Sequence, residues 1–244
     1  MGSSVSVEEE SRSGDCVVST DQQKQAVGAA AALEVSDGMT VGLGTGSTAV
    51  WFVNALAARN LNIACVATST ATADLAASLG LRLIDLDEAS NGIDLTVDGA
   101  DEIGPGLDLI KGGGAALLRE KLVWEASRRC LAIADAAKKV DRLGRFPLPV
   151  EVVSFGHRRT ADRLRQLTGS FGLPDGVLRV RDGEIVRTDG GNVIYDIPCG
   201  SIAEPHVLAK ALKAVTGVVE HGLFIGLTHS ALLGTDQGVL RLSL

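Results

Sequence analysis

Four stretches of the chain carry residue types and spacings that could do chemistry. The first, Gly42-Leu43-Gly44-Thr45-Gly46-Ser47-Thr48, sets three glycines among hydroxyl side chains. Glycines let backbone N–H groups approach a ligand, and a helix beginning here would add partial positive charge, so the loop suits an anion such as phosphate. It is not a GxGxxG dinucleotide turn, because Ser47 stands where the last glycine belongs, and no Lys-Ser/Thr pair makes it a Walker A loop. Ser47 could equally serve as an ordinary helix N-cap. The second, Asp98-Gly99-Ala100-Asp101-Glu102, puts two carboxylates three residues apart at the end of an apolar run. There they could exchange protons with sugar hydroxyls or form a solvated Asx turn.

The third stretch, Lys111-Gly112-Gly113-Gly114-Ala115-Ala116-Leu117-Leu118-Arg119-Glu120, places a cation before three glycines that open a helix. Interior glycines weaken a helix by roughly 1 kcal/mol each, so such a run implies close approach of backbone to a ligand. Glu120 has Ala116, Leu117, Val123 and Trp124 as its helical neighbours at i−4, i−3, i+3 and i+4. A carboxylate in that apolar stripe should have a raised pKa, in the range of a general base. Its charged neighbours Arg119 and Lys121 are not at the favourable i,i+4 spacing, although an exposed, paired glutamate is the alternative. The fourth, Ile133-Ala134-Asp135-Ala136-Ala137-Lys138-Lys139, could bring one lysine to an anionic substrate or leave an ordinary solvated pair. Together the four describe a cleft for a small phosphorylated polyol and proton transfer next to a carbonyl.

The elements around them must form an open parallel sheet. Apolar runs at 39–43, 61–67, 81–86, 93–97 and 130–134 lack polar faces and alternate with helical segments at 24–33, 48–59, 70–79 and 113–128. That pattern belongs to strands covered on both sides by helices, with ligands bound at the strands' carboxyl ends. The proline-bearing segment 143–149 marks a boundary, after which a smaller α+β unit follows and the tail from 217 to 244 is strand-rich. The expected class is α/β: a Rossmann-like, mostly parallel sheet domain with a smaller inserted α+β domain.

Composition agrees. With 244 residues, 29 glycines, eight aromatics and 45% hydrophobic residues, the chain has the balance of an α/β protein with small-residue packing. A net charge of −7 without a basic stripe argues against nucleic acid as a partner. No apolar run approaches the roughly 18–20 residues of a membrane span. Cys16, Cys65, Cys130 and Cys199 and the four histidines (157, 206, 221 and 229) lack ligand or disulfide spacing, so neither a metal nor another cofactor is expected. Residues 1–20 read as a polar, acidic, disordered tail with no secretory pattern. Their Met1-Gly2 start fits a myristoylation pattern, but Glu8, Glu9 and Glu10 oppose an anionic membrane. The expected compartment is the cytoplasm.

In this order and spacing, the motifs VGLGTGST (41–48), DGADEI (98–103), KGGGAALLREK (111–121), IAD…K (133–138) and FPLPVEV (146–152) resemble ribose-5-phosphate isomerases of the A type. GNVIYD (191–196) and GVVEHGLF (217–224) extend the likeness, which spans about residues 21–244. The resemblance implies metal-free interconversion of D-ribose 5-phosphate and D-ribulose 5-phosphate in the pentose phosphate pathway. It implies substrate binding by Thr45, Gly46, Ser47, Thr48, by Asp98, Gly99, Ala100, Asp101, by Lys111, Gly112, Gly113, Gly114, and by Lys138. Glu120 would be the proton acceptor; in the reaction scheme drawn from this likeness, Asp98 or Asp101 assists ring opening and Lys111 holds the charge of a cis-enediolate. It further implies a catalytic domain of 21–146 plus 219–244, a ferredoxin-like small domain of 147–218, and a homodimer or homotetramer. Leu118 and Ala137 stand where Thr and Ser are usual, and 225–230 lacks the charges often found there. Two other classes share parts of the inventory: a silent sugar-phosphate sensor, for which no helix-turn-helix is apparent, and a glutamate-nucleophile CoA transferase.

Overall fold

The computed structural model describes residues 18–244. Most of the expected tail, with Cys16 and the Gly2 pattern, lies outside the described residues. In chain order the elements are α1 (Thr20–Ala32), β1 (Thr40–Leu43), α2 (Ala49–Ala57), β2 (Ala64–Ala67), α3 (Thr70–Ser78), β3 (Leu95–Gly99), β4 (Glu102–Ile103), β5 (Leu109–Ile110), α4 (Leu117–Glu125) and β6 (Cys130–Asp135). They continue with β7 (Leu148–Val152), α5 (His157–Ser170), β8 (Val177–Leu178), β9 (Val180–Arg181), β10 (Glu184–Ile185), β11 (Val193–Ile197), α6 (Pro205–Lys213), β12 (Val218–His221), β13 (Leu223–Phe224), β14 (Ser230–Thr235) and β15 (Gly238–Ser243).

The main sheet has the order β15-β14-β6-β3-β1-β2. All its neighbours pair in parallel except β15, which returns antiparallel along β14. One face packs Val41, Leu43, Val97 and Leu131 against Val27 of α1 and Phe52 and Leu56 of α2, all buried. The other packs Ala132, Ala134 and Leu233 with Trp124 and Phe224. This is the doubly covered parallel sheet that the apolar strands require. A separate four-stranded antiparallel sheet, β12-β7-β11-β8, packs Val150, Val152 and Tyr195 against Leu164 of α5 and Leu208 and Leu212 of α6.

Local chemistry sets several boundaries. Ser19 and Gln22 cap α1 reciprocally, so the helix begins at Thr20. The apolar run 81–86 does not form a full strand and contributes one bridge, Cys65 to Leu83, beside β2. Helix α4 is shorter than the expected 113–128, because Gly112 takes φ +110° and Ala115 φ +63°, which holds the preceding loop out of the helix.

Candidate active site

The carboxyl ends of β1, β3 and β6 converge with the 111–114 loop around a cavity of about 270 Å³. Thr45, Gly46, Ser47, Thr48, Gly99, Ala100, Asp101, Lys111, Gly112, Gly113, Gly114, Glu120 and Lys138 all line it. Of the residues expected there, only Asp98 does not. It is fully buried behind the cavity wall, where it organises the others.

Asp98 is fixed by the fold. Its Oδ1 accepts from the Thr45 N–H (3.0 Å) and the Gly99 N–H (2.7 Å), so it joins the ends of β1 and β3. A Cβ at Gly44 would collide with this carboxylate, which explains that glycine. The other oxygen, Oδ2, lies 3.0 Å from the Lys111 ammonium. Lys111 is equally enclosed: its Nζ donates to the Gly99 carbonyl (2.6 Å) and sits 3.3 Å from Glu120 Oε2. The rings of Phe224 and Trp124 lie 5.4 and 5.7 Å from the ammonium. Asp98 Oδ2 and Glu120 Oε2 touch the cation but receive no aligned hydrogen bond.

Glu120 is 2% exposed, with Leu117, Val123 and Trp124 buried around it, so the apolar stripe read from helical spacing is real. Desolvation pushes its pKa up to about 8; Lys111 pulls it down, while Asp98 and Asp101 push it further up. Burial likewise raises Asp98 against the pull of Lys111. Burial pulls Lys111 down, but Asp98 and Glu120 outweigh it and hold the ammonium above its ordinary range. The trio therefore keeps its lysine charged and leaves its glutamate able to gain or lose a proton near neutrality.

Asp101 faces the cavity and accepts from the Gly113 N–H (2.8 Å), which ties the second motif to the third. Helix α2 starts at Ala49, its N-cap Thr48 makes no side-chain capping bond, and Ser47 is exposed. Ser47 is thus not the N-cap that its position allowed, and its hydroxyl remains available to a ligand. An uncapped helix start lining the same cavity as Ser47 and Lys138 has the chemistry to attract an anion.

Three contributions were not foreseen from sequence. Lys24 of α1 reaches the same cavity. Nothing in its Ala-rich surroundings marks it, because its role depends on where α1 crosses the sheet. The Thr45 hydroxyl turns away from the cavity into a cluster with Thr68 (2.7 Å), Ser69 (2.8 Å) and Thr72 (3.0 Å), and Thr72 donates to the Gly44 carbonyl. The hydroxyl-rich run 68–72 was the legible signal for this brace. Arg179, paired with Asp196, donates to the Gly112 (2.8 Å) and Gly113 (3.3 Å) carbonyls and so steadies the glycine loop from the small sheet.

A glycine-lined cavity with a buried carboxyl of raised pKa beside a fixed ammonium fits one class: an α/β enzyme acting on a phosphorylated substrate by proton transfer. A family model, ribose 5-phosphate isomerase A (phosphoriboisomerase A), matches residues 64–238. The chain is 65% identical over 225 residues to ribose-5-phosphate isomerase A of Caulobacter sp. (strain K31), covering 92% of this chain and 99% of that protein. It superposes on ribose 5-phosphate isomerase from Plasmodium falciparum with a TM-score of 0.87 and 36% identity, covering 92% and 99% of the two chains. A D-ribose-5-phosphate isomerase in complex with phospho-erythronic acid gives a TM-score of 0.86 and 31% identity, covering 93% and 100%. The chain belongs to the ribose 5-phosphate isomerase A family.

Proposed function

We propose that this chain interconverts D-ribose 5-phosphate and D-ribulose 5-phosphate, an aldose–ketose step of the non-oxidative pentose phosphate pathway, with Glu120 carrying the proton. The observation that carries the assignment of roles is the geometry of Glu120: buried, raised to about 8, against Lys111 and open to the cavity. The phosphate lies at the α2 N-terminus with Ser47, Thr48, Lys24 and Lys138. A ligand with phosphate at one end, as in the phospho-erythronic acid complex of the related enzyme, matches a cleft built this way.

Asp101, which faces the cavity, exchanges the protons of ring opening: the anomeric hydroxyl loses one as the C1–O4 bond breaks, and O4 gains one. Asp98, behind the wall, holds Lys111. Glu120 then takes the proton from C2. The C–H electron pair becomes the C1=C2 bond, and the carbonyl pair moves onto O1. The resulting cis-enediolate is stabilised by Lys111 and nearby backbone N–H groups, donors fixed before the charge develops. A proton passes from O2 to O1, the carbonyl re-forms at C2, and C1 takes the proton back from Glu120. One carboxylate serves both carbons because they share one face of a planar intermediate.

The catalytic unit is 21–146 with 219–244, and 147–218 is the smaller unit that braces its glycine loop through Arg179. The working form is a homodimer or homotetramer in the cytoplasm, as the family likeness suggests. Incubation of ribose 5-phosphate with the protein in D2O, followed by NMR, should give ribulose 5-phosphate with deuterium at C1. Ketose formation without solvent exchange would favour hydride migration instead, and no ketose at all would overturn the assignment.

A further inference from the structure

Next to Glu120 in sequence, Lys121 points the other way, into a second buried cluster. Its ammonium donates to Glu220 Oε1 (2.8 Å) and to the His221 (2.8 Å) and Leu223 (2.9 Å) carbonyls, and lies 4.8 Å from the Phe224 ring. Those carbonyls flank Gly222. The Gly222 carbonyl accepts from the Lys111 N–H (2.9 Å), and a Cβ on Gly222 would collide with the Lys111 carbonyl. Phe224, two residues beyond Gly222, also faces the Lys111 ammonium. One segment, 220–224, is therefore bolted to α4 by Lys121 and itself carries the backbone and ring contacts that place Lys111.

We infer that Lys121 is a positioning residue for the reaction: by fixing 220–224 against α4, it sets the separation of Glu120 from Lys111. It touches no substrate, and Glu120 itself is faced by Lys111, Asp98 and Asp101 rather than by Lys121. Around Lys121 the charged and titratable groups are Glu220, His221, Lys213 and Glu125. Its influence thus travels through geometry. The proposal rests on the reading of Glu120 as the proton carrier.

The test compares wild type, Lys121→Met, Lys121→Arg and Glu120→Gln by kcat, KM and the pH profile of kcat/KM, with thermal melts to count folded protein. A displacement on the order of 1 Å at a reacting pair costs about 100-fold in rate, so Lys121→Met should lower kcat by about that factor while KM changes little. With Lys111 less closely held, Glu120 loses part of the pull that lowers its pKa. The rising limb of the profile should therefore move to higher pH. Lys121→Arg, which keeps the charge and several donors, should restore much of kcat and move the limb back. If Lys121→Met does not fold, Glu220→Gln loosens the same ammonium, and its limb should move in the same direction by less. A loss accounted for by unfolded protein, with the limb unmoved, would overturn the proposal, as would wild-type kinetics in Lys121→Met. Turnover retained by Glu120→Gln would overturn the reading of Glu120 and this proposal with it; an inactive Glu120→Gln beside an unaffected Lys121→Met would overturn this proposal alone.

Discussion

Lys111 and Lys121 lie ten residues apart, both buried, both near the Phe224 ring, and they stabilise their surroundings in opposite ways. Lys111 is one cation among Asp98, Glu120 and Asp101, and burial leaves the glutamate raised to about 8. Glu220 is one carboxylate between Lys121 and Lys213, with Nζ atoms 2.8 and 2.6 Å from its oxygens. Burial would raise it, but the two ammoniums bring it down to about 2. The ratio of acids to bases decides the outcome. An excess of buried acid leaves a group that can exchange a proton near neutrality, and an excess of base locks a carboxylate in its ionised form. The orphaned oxygens of Asp98 and Glu120 belong to the first cluster, whereas both Glu220 oxygens are bonded.

The sharpest break of this contrast is Glu120→Gln. It keeps the shape and removes the carboxylate that we propose carries the proton, so kcat should fall by about 10³- to 10⁴-fold with KM changed only a few-fold, measured in a coupled assay. Turnover near wild type would place the proton transfer elsewhere. Lys111→Met comes next. Loss of the cation proposed to face the developing oxyanion should cost about 10²- to 10³-fold in kcat. The acid limb of the surviving activity should also move upward in pH, because Asp98 and Asp101 continue to oppose ionisation of Glu120 while nothing favours it. An unmoved limb would mean that Lys111 does not set the state of Glu120.

Much of this site could be read from the chain before its structure. Glu120 is singled out by the i±3 and i±4 rule, which needs only helical geometry, and the glycine turns by the steric demands of close backbone approach. The parallel sheet followed from apolar strands lacking a polar face. What sequence could not supply was the direction of side chains at loops. Asp98 and Asp101 look equivalent in the run Asp98-Gly99-Ala100-Asp101, yet one is sealed behind the wall and the other lines the cavity. Lys24 and Arg179 join the site from elements far away in the chain, so their roles depend on tertiary packing alone. The run 81–86 shows the opposite error, since apolar content sufficient for a strand gave only one bridge.

The smallest of these effects concerns stability rather than rate, and it tests the second cluster directly. Glu220 is held at about 2 against an ordinary 4.5, so between those values the unfolded chain binds more protons than the folded one. The pair's contribution is then fully present above about pH 4.5 and is lost as the pH falls toward 2. His221, kept neutral by burial and by Lys121 and lowered to about 4 from 6.5, adds a loss in the same direction as the pH falls from 6.5 to 4. The raised Glu120 acts oppositely: it binds its proton more tightly when folded, and its contribution declines as the pH rises from 4.5 through about 8. In Glu220→Gln the part of the acid dependence that belongs to Glu220 should vanish. The variant should be about 2–3 kcal/mol less stable than wild type in urea at pH 7, with the two stabilities drawing together as the pH falls from about 4.5 toward 2. Curves that stay parallel over that range would show that Glu220 is not held ionised by its two lysines, and the contrast between the clusters would fail at its second member.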